Sequence, residues 1–294
     1  LFPYTTLFRS GQVLGIYNKQ NLPNYGVFDE KRYFSEGQQH LVFEYLGHKF
    51  GVLICEDAWS LNTVHQLSQL NVETVLVLNA SPYEVGKPQH RLTTMGELAK
   101  QLHINLVYTN QVCGQDDLIF DGTSFVINQD GTTALQAPSF KEDLYYAEYA
   151  AEQKAFKVTT ISPVLDTMAE IYQGLVLATR DYIQRSGFAG VILGLSGGID
   201  SALTLAIAVD AIGADKVQAV MMPYSYTAQI SIEDAAAQAK NMGVTFGIAE
   251  INPVVNSFMH TLYPFFGNSP ADATEENLQA RARGTLLMAL SNKF

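Results

Sequence analysis

The sequence is poor in several residue types, and each shortage removes a class of protein. Only two cysteines, Cys55 and Cys113, occur in 294 residues. That is too few for a disulfide scaffold, and a thiol that must stay reduced points to the cytoplasm. Positive charge is scarce: 18 Lys and Arg stand against 29 Asp and Glu, a net charge of -11. Such a balance disfavours nucleic-acid or membrane-surface partners, although one basic pocket could still hold a phosphate. No apolar run approaches the roughly 20 residues that cross a bilayer, and the stretch 191–195 runs into glycines. No secretory signal is present. The six histidines, His40, His48, His65, His90, His103 and His260, show no metal-ligand spacing of the HExxH kind.

What remains is ordinary globular composition, 47% hydrophobic and 16% charged. The length suggests two domains at a soft prior of about 150 residues each. The first ten residues, LFPYTTLFRS, lead into the next segment without turn logic and are similar to translated sequencing-adapter sequence. Residues 1–10 are therefore set outside the fold as a suspected artefact. From 274 onward a helical pattern is still running near Asn292 when the sequence stops, so the chain is expected to be a piece cut at both ends.

Strand and helix patterns alternate through the first part. LVFEY alternates as a strand, a turn falls at Gly47-His48, and FGVLIC reads as a buried strand. A helix over 63–70, a strand over 74–79, a helix over 89–102 and a strand over 105–110 follow. Residues 123–128 and the Asp130-Gly131 turn suggest a hairpin. This is an α/β sandwich with some antiparallel pairs. We place the domain boundary after residue 155, giving domains 11–155 and 156–294. Residues 164–186 then form an amphipathic helix with Met168, Ile171, Leu175 and Ala178 on its apolar side.

The second part restarts as β–α–β, the order of a doubly wound parallel sheet. A continuous apolar strand over 189–195 suits a buried parallel position. A glycine loop and a helix over 200–212 follow. Then come a strand over 217–222, a helix started by Ser231 with Asp234 as capping partner, and a strand over 244–251. The loop Leu195-Ser196-Gly197-Gly198-Ile199-Asp200-Ser201 lets backbone N–H groups approach an anion. It lacks the Lys-Ser/Thr pair of a Walker loop. Asp200 beside a polyphosphate implies an intervening Mg²⁺. The same string also reads as a tight turn in which Ser196 and Asp200 cap the helix.

LGLSGGIDSAL resembles the pyrophosphate loop of N-type ATP pyrophosphatases, which adenylate a carboxylate. MMPYSYTAQISIEDAAAQAKNMGV and EENLQARARGTLLMALSNK are similar to segments of the NAD synthetases within that group. The resemblance implies ATP binding at Ser196, Gly197, Gly198, Ile199, Asp200 and Ser201, with Mg²⁺ on Asp200. It implies deamido-NAD or ATP contacts at Asn277, Arg281 and Arg283. Two residues apart, the two arginines cannot share one helix face, and they read equally as a surface pair. Ser225 departs from the family's larger polar or basic residue, whereas Tyr226 and Thr227 match.

Cys55 ends an apolar strand just before Glu56, Asp57, Ala58 and Trp59, a position expected to expose and activate a thiol. A lone cysteine there is otherwise a core residue. Upstream, YNKQNLPNY and VFDEKRYF resemble the lysine segment of the nitrilase superfamily, in the glutaminase branch attached to NAD synthetases. The resemblance implies a partial α-β-β-α sandwich with Cys55 as nucleophile, Lys19 as catalytic lysine and Glu30 as supporting carboxylate. Tyr25, Ser81 and Lys87 would bind glutamine, and read equally as a packing tyrosine, a turn serine and a solvated lysine. The superfamily's general base is a glutamate nearer the N-terminus, and LFPYTTLFRS contains no carboxylate. Cys113 is read as structural. Asp116, Asp117 and Asp121 read as a cation site or, more simply, as a solvated loop.

Together the two resemblances imply amidation of deamido-NAD to NAD, with ATP and with ammonia that a cysteine amidase domain releases from glutamine. They imply an ammonia tunnel and a homo-oligomer. An amidase fused to a different ATP pyrophosphatase, or an inactive fragment, are the alternatives.

Overall fold

A computed structural model describes residues 4–9, 11–267 and 269–293. The chain divides into two compact units, Leu1–Gly174 and Leu175–Phe294. No helix among the described residues is long and apolar enough to cross a membrane.

The first unit begins with a hairpin, Tyr4–Arg9 (β1) antiparallel to Gln12–Asn18 (β2). Residues expected to lie outside the fold thus contribute a paired strand. Then follow Leu41–Tyr45 (β3), His48–Ile54 (β4), the helix Leu61–Ser68 (α1), Thr74–Asn79 (β5), the helix Lys87–Leu102 (α2) and Asn105–Asn110 (β6). After a small ribbon of Val112–Gln115 (β7) and Leu118–Asp121 (β8) come Phe125–Ile127 (β9) and Thr133–Gln136 (β10). The main sheet has the order β10-β9-β6-β5-β4-β3. Its centre is parallel, β4 to β5 to β6, and its outer pairs are antiparallel.

The pattern of burial explains the arrangement. Leu53, Val75, Val77, Leu106 and Ile127 point into one core with Leu67 of α1 and Met95 and Ala99 of α2. Each fully buried aliphatic side chain of this kind contributes roughly 1.5–3 kcal/mol. The parallel centre forces crossovers through α1 and α2, and so brings the ends of β4, β5 and β6 out on one edge.

The two compact units divide at 174/175, because the segment after 155 pairs with the first unit. Thr159 donates to Ala134, Gln136 to Thr160 and Ser162 to Gln136. The ribbon of Tyr149–Ala150 (β11) and Ala155–Phe156 (β12) is anchored by Glu73, which accepts from His48, Lys154 and Tyr149. Several expectations are corrected. In the helix Thr167–Arg185 (α3) the buried positions are Glu170, Gly174, Leu177 and Ile183, whereas Met168 is 74% exposed. Asp116 and Asp117 form the turn of the β7–β8 hairpin, which the sequence pattern did not announce. Asp121 is no part of a solvated loop: it is fully buried, paired with Arg91 and Thr123.

The second unit holds Val191–Gly194 (β13), the helix Ile199–Ile212 (α4), Val217–Met221 (β14), the helix Gln229–Met242 (α5), Thr245–Ile248 (β15), and the helices Asn252–Phe266 (α6) and Ala273–Lys293 (α7). The three strands are parallel in the order β13-β14-β15. Leu205 and Ala208 of α4 and Ala235 and Ala239 of α5 pack on Val217, Ala219 and Met221. Helix α5 starts at Gln229 rather than Ser231, whose N–H donates to Ala228 inside the first turn. Strand β15 stops at Ile248 because the Ile251 N–H turns to the Pro223 carbonyl and Pro253 opens α6.

The Arg91–Asp121 pair is the main buried ion pair of the first unit outside the loop that carries Lys19. Replacing Arg91 with Met is expected to remove about 3–5 kcal/mol of stability by stranding Asp121. Urea unfolding of the variant reads this directly, and a loss under about 1 kcal/mol contradicts it.

Candidate active site

Cys55 stands just beyond the end of β4, as the first residue of the 3-10 turn Cys55–Trp59. Its φ is +47°, a strained value for a residue with a Cβ and one that recurs at active sites. The expected exposure is not found: Cys55 is only 4% exposed and belongs to the main core. Packing under the turn hides the sulfur, where the sequence pattern saw only a strand end.

The turn is held from within by Asp57, which is fully buried. Its carboxylate accepts from Tyr17 Oη (2.8 Å), Gln20 N (3.1 Å), Asn21 N (2.7 Å), Asn21 Nδ2 (3.0 Å) and Ile54 N (3.3 Å). One side chain thus binds the residues on either side of Lys19 to the residues on either side of Cys55. The loop after Lys19 closes on itself through Gly37 N to Lys19 O (2.8 Å) and Glu30 N to Pro23 O (3.2 Å). Within it Lys19 Nζ meets both Glu30 carboxylate oxygens at 2.7 Å, with Lys19 2% and Glu30 8% exposed.

These charges reach the sulfur. Burial pushes the Cys55 thiol above its ordinary range. The Lys19 ammonium pulls it down, Glu56 and Glu30 push it up, and a hydrogen bond from the Ala80 backbone pulls it down. Cys55, Lys19 and Glu30 therefore lie together. Tyr25 is 60% exposed and joins the set through the residue next to the sulfur, donating to Glu56 Oε1 at 2.9 Å. Burial and that bond push its phenol up to about 12. Ser81 follows Ala80 directly and is buried. Asn110 fixes it by accepting from Ser81 N at 2.9 Å and donating to Ser81 O at 3.3 Å. Lys87 opens α2 and lies 3.8 Å from Glu84, with no described contact to Cys55 or Lys19. Asp57, Glu56 and Asn110 were missed in the sequence. EDAW after the cysteine was the signal available for the first two.

In the second unit the loop between β13 and α4 is knitted by its two serines. Ser201 Oγ accepts from Ser196 N (3.1 Å), lies 3.0 Å from Ser196 Oγ and donates to Gly198 O (2.9 Å). Gly198 N donates to Ser196 Oγ (3.3 Å). Gly197 has φ +80°, and a Cβ on it would fall 2.2 Å from the Ser231 carbonyl oxygen of α5. Only glycine fits there. Helix α4 begins at Ile199, and its first turn carries N–H groups with no partner inside the helix. Asp200 is exposed, with no side-chain hydrogen bond or ion pair among the described residues. In α7, Asn277 and Arg281 are exposed one turn apart. Arg283 turns elsewhere, donating from Nε to the Met222 carbonyl at 3.1 Å, just past β14. Ser225 binds Asn252 Oδ1 through N (3.1 Å) and Oγ (2.7 Å), while Tyr226 is 87% exposed.

Compared with known families, residues 4–155 match the carbon-nitrogen hydrolase model. The chain belongs to that family. Residues 171–294 match the NAD synthase model. Among curated relatives, the glutamine-dependent NAD(+) synthetase of Acinetobacter baylyi is 79% identical over 288 residues, covering 98% of this chain and 53% of that protein. The protein of that name from Synechocystis is 41% identical over 308 residues, covering all of this chain and 55% of the relative. The chain thus spans about half the length of the curated relatives it matches. A solved glutamine-dependent NAD+ synthetase from Acinetobacter baumannii, in complex with ADP, superposes with a TM-score of 0.96 at 79% identity over 99% of this chain and 55% of that one. The enzyme of that name from Cytophaga hutchinsonii, at 20% identity and a TM-score of 0.81, shows the shared fold. The architecture is accordingly a nitrilase-like α/β unit followed by an NAD synthetase-type parallel α/β unit.

Removing the ammonium with Lys19→Met is expected to raise the Cys55 thiol further. A thiol that titrates one pH unit higher holds about tenfold less thiolate at a fixed pH below its range, and alkylation by iodoacetamide slows by about the same factor. An unchanged rate would show that Lys19 does not act on the sulfur.

Proposed function

We propose that the protein bearing this sequence converts deamido-NAD to NAD, using ATP and ammonia released from glutamine at Cys55. The observation that carries the reading is the buried Lys19–Glu30 pair with its charge on the enclosed Cys55 sulfur. A buried ion pair is a weak source of stability, and this one lies against the only type of side chain in the site that can form a thioester.

The Cys55 sulfur adds to the carboxamide carbon of glutamine, and the carbonyl oxygen takes the negative charge. Lys19 has three N–H donors and Glu30 occupies two, which leaves one for that oxygen. The C–N bond then breaks, its nitrogen leaves as ammonia with a transferred proton, and a thioester remains. Water cleaves the thioester to glutamate and restores the thiol. The proton that the thiol gives up is the one that the leaving nitrogen carries away. Glu56, beside Tyr25, suits the substrate ammonium, and Lys87 and Ser81 suit its carboxylate.

In the second unit, Ser196, Gly197, Gly198, Ile199, Asp200 and Ser201 suit the phosphates of ATP. The start of α4 leaves N–H groups without helical partners beside left-handed Gly197, a setting that suits an anion. The unpaired, exposed Asp200 carboxylate fits a hard cation and would hold Mg²⁺, which supplies neutralising charge to polyphosphate. Asn277, Arg281 and the Nη groups of Arg283 suit the dinucleotide. Arg283 is bound just past β14, on the side where ligands of such sheets collect. We place the reaction in the cytoplasm, where both thiols stay reduced, and in a homo-oligomer, as the family resemblance implies.

The test separates the two halves in the whole protein. Cys55→Ala is expected to abolish NAD formation from glutamine while synthesis from added ammonium persists within about twofold. Asp200→Asn is expected to lower ATP-dependent synthesis at least about tenfold and to spare glutamine hydrolysis. Glutamine-driven synthesis surviving in the alanine variant would sink the assignment. Replacement of deamido-NAD by another carboxylic acid as the better acceptor would move the protein to a different ATP pyrophosphatase.

A further inference from the structure

Buried polar groups in folded proteins are paired with few exceptions, and each exception calls for a cause. Among the described residues the buried side-chain atoms without a partner are Asn79 Oδ1, Arg91 Nε and Nη1, and Tyr108 Oη. Tyr108 is the case that bears on the thiol. It is 1% exposed and lies in the same core as Cys55. The fold can pair a buried phenol, since Tyr17, also fully buried, donates to Asp57. Tyr108 is left unpaired, although Ser81 stands near enough to lower its pKa.

The place of the hydroxyl oxygen is fixed by the ring, while the O–H bond can still turn. The Tyr108 ring stacks on Phe125 with centroids 4.6 Å apart and planes 9° from parallel. The ladder explains the placement. Leu53, Val77 and Tyr108 stand in register across β4, β5 and β6, and Ile54, Leu78 and Thr109 form the next rung. Cys55 follows Ile54 directly and shares its core with Tyr108, and the segment at the end of β5 reaches both, Ala80 to the sulfur through its backbone and Ser81 to the phenol.

We propose that Tyr108 is a positioning residue for Cys55, its unpaired hydroxyl being the hydrogen-bond donor that the sulfur takes up when the thiol ionises. The inference rests on Cys55 being the nucleophile. The charged groups facing the sulfur are Lys19, Glu30 and Glu56, and those facing the phenol are Arg91 and Asp121. Burial and the Cys55 charge push the phenol's own pKa up, which favours the protonated form that can donate. A neutral donor stabilises the thiolate without competing with Glu30 for Lys19.

The test is the rate of iodoacetamide alkylation of Cys55 in the full protein, from about pH 6 to about pH 10, with the Cys55 peptide resolved by mass spectrometry from that of Cys113. Tyr108→Phe keeps the stacked ring and removes only the hydroxyl. Its midpoint is expected to rise by about one pH unit, which is about tenfold less thiolate at a given pH. Thermal stability should hold or rise, because an unpaired buried hydroxyl has gone. Coincident titration curves, the result if an ordered water alone serves the phenol, would overturn the proposal. Should the Phe variant fail to fold, 3-fluorotyrosine at 108 retains a stronger donor. A lowered midpoint then supports the proposal and an unchanged one overturns it. Alkylation needs no glutamine. A shifted midpoint in a protein that hydrolyses no glutamine therefore counts against the proposed activity alone, and an unshifted one in an active protein against Tyr108 alone.

Discussion

The first unit depends on one carboxylate. Asp57 sits with no solvent exposure and receives five hydrogen bonds, two from the backbone of the segment after Lys19 and one from the end of β4. A buried carboxylate is tolerated only when its lone pairs are filled in this way. The result is mechanical. The loop that carries the ammonium and the turn that carries the sulfur are bound to one atom group, so their separation is set by short, charge-assisted bonds and not by the length of the intervening chain. The left-handed backbone of Cys55 is held by the same contacts. Asn21 extends the clamp to Thr63 and Ser60, at the start of α1.

Much of this fold was legible as periodicity. Strands β3, β5 and β6 lie where alternation and apolar runs put them, β5 and β6 because buried parallel strands leave little choice of residue. Helix ends were less legible. Ser231 looked like a cap, yet the extended residue before the helix is Ala228, and nothing in the alanine announces that. The β7–β8 hairpin escaped because its turn is Asp116-Asp117 rather than a glycine pair. The long segment after residue 155 stayed with the first unit through backbone pairing to β10, a long-range choice that composition does not encode.

The site was legible where residue type and chemistry coincide. The strand-end cysteine could be singled out by its position, Lys19 and Glu30 only by the resemblance of their segment to the nitrilase superfamily, and the charges of both reach the sulfur in the fold. Their burial was not legible, since LICEDAW shows a strand end but not what covers it. Asp57 was invisible for a similar reason. An aspartate two residues past a cysteine reads as polar surface unless one knows that five donors converge on it. Tyr108 illustrates the limit: its sequence context is an ordinary β-strand, and only the folded core shows that its hydroxyl is buried without a partner.

Gly197 has a further consequence. Its backbone lies against the Ser231 carbonyl with no room for a single methyl group, so the loop and the opening turn of α5 behave as one solid piece. The Ala235 and Ala239 side of that helix is pressed on the parallel strands by equally small side chains. A displacement of α5 by even an ångström would reshape the turn where α4 begins. Insertions that lengthen the 222–228 connection would thus be felt in the curvature of the glycine loop, far along the chain from where they were made.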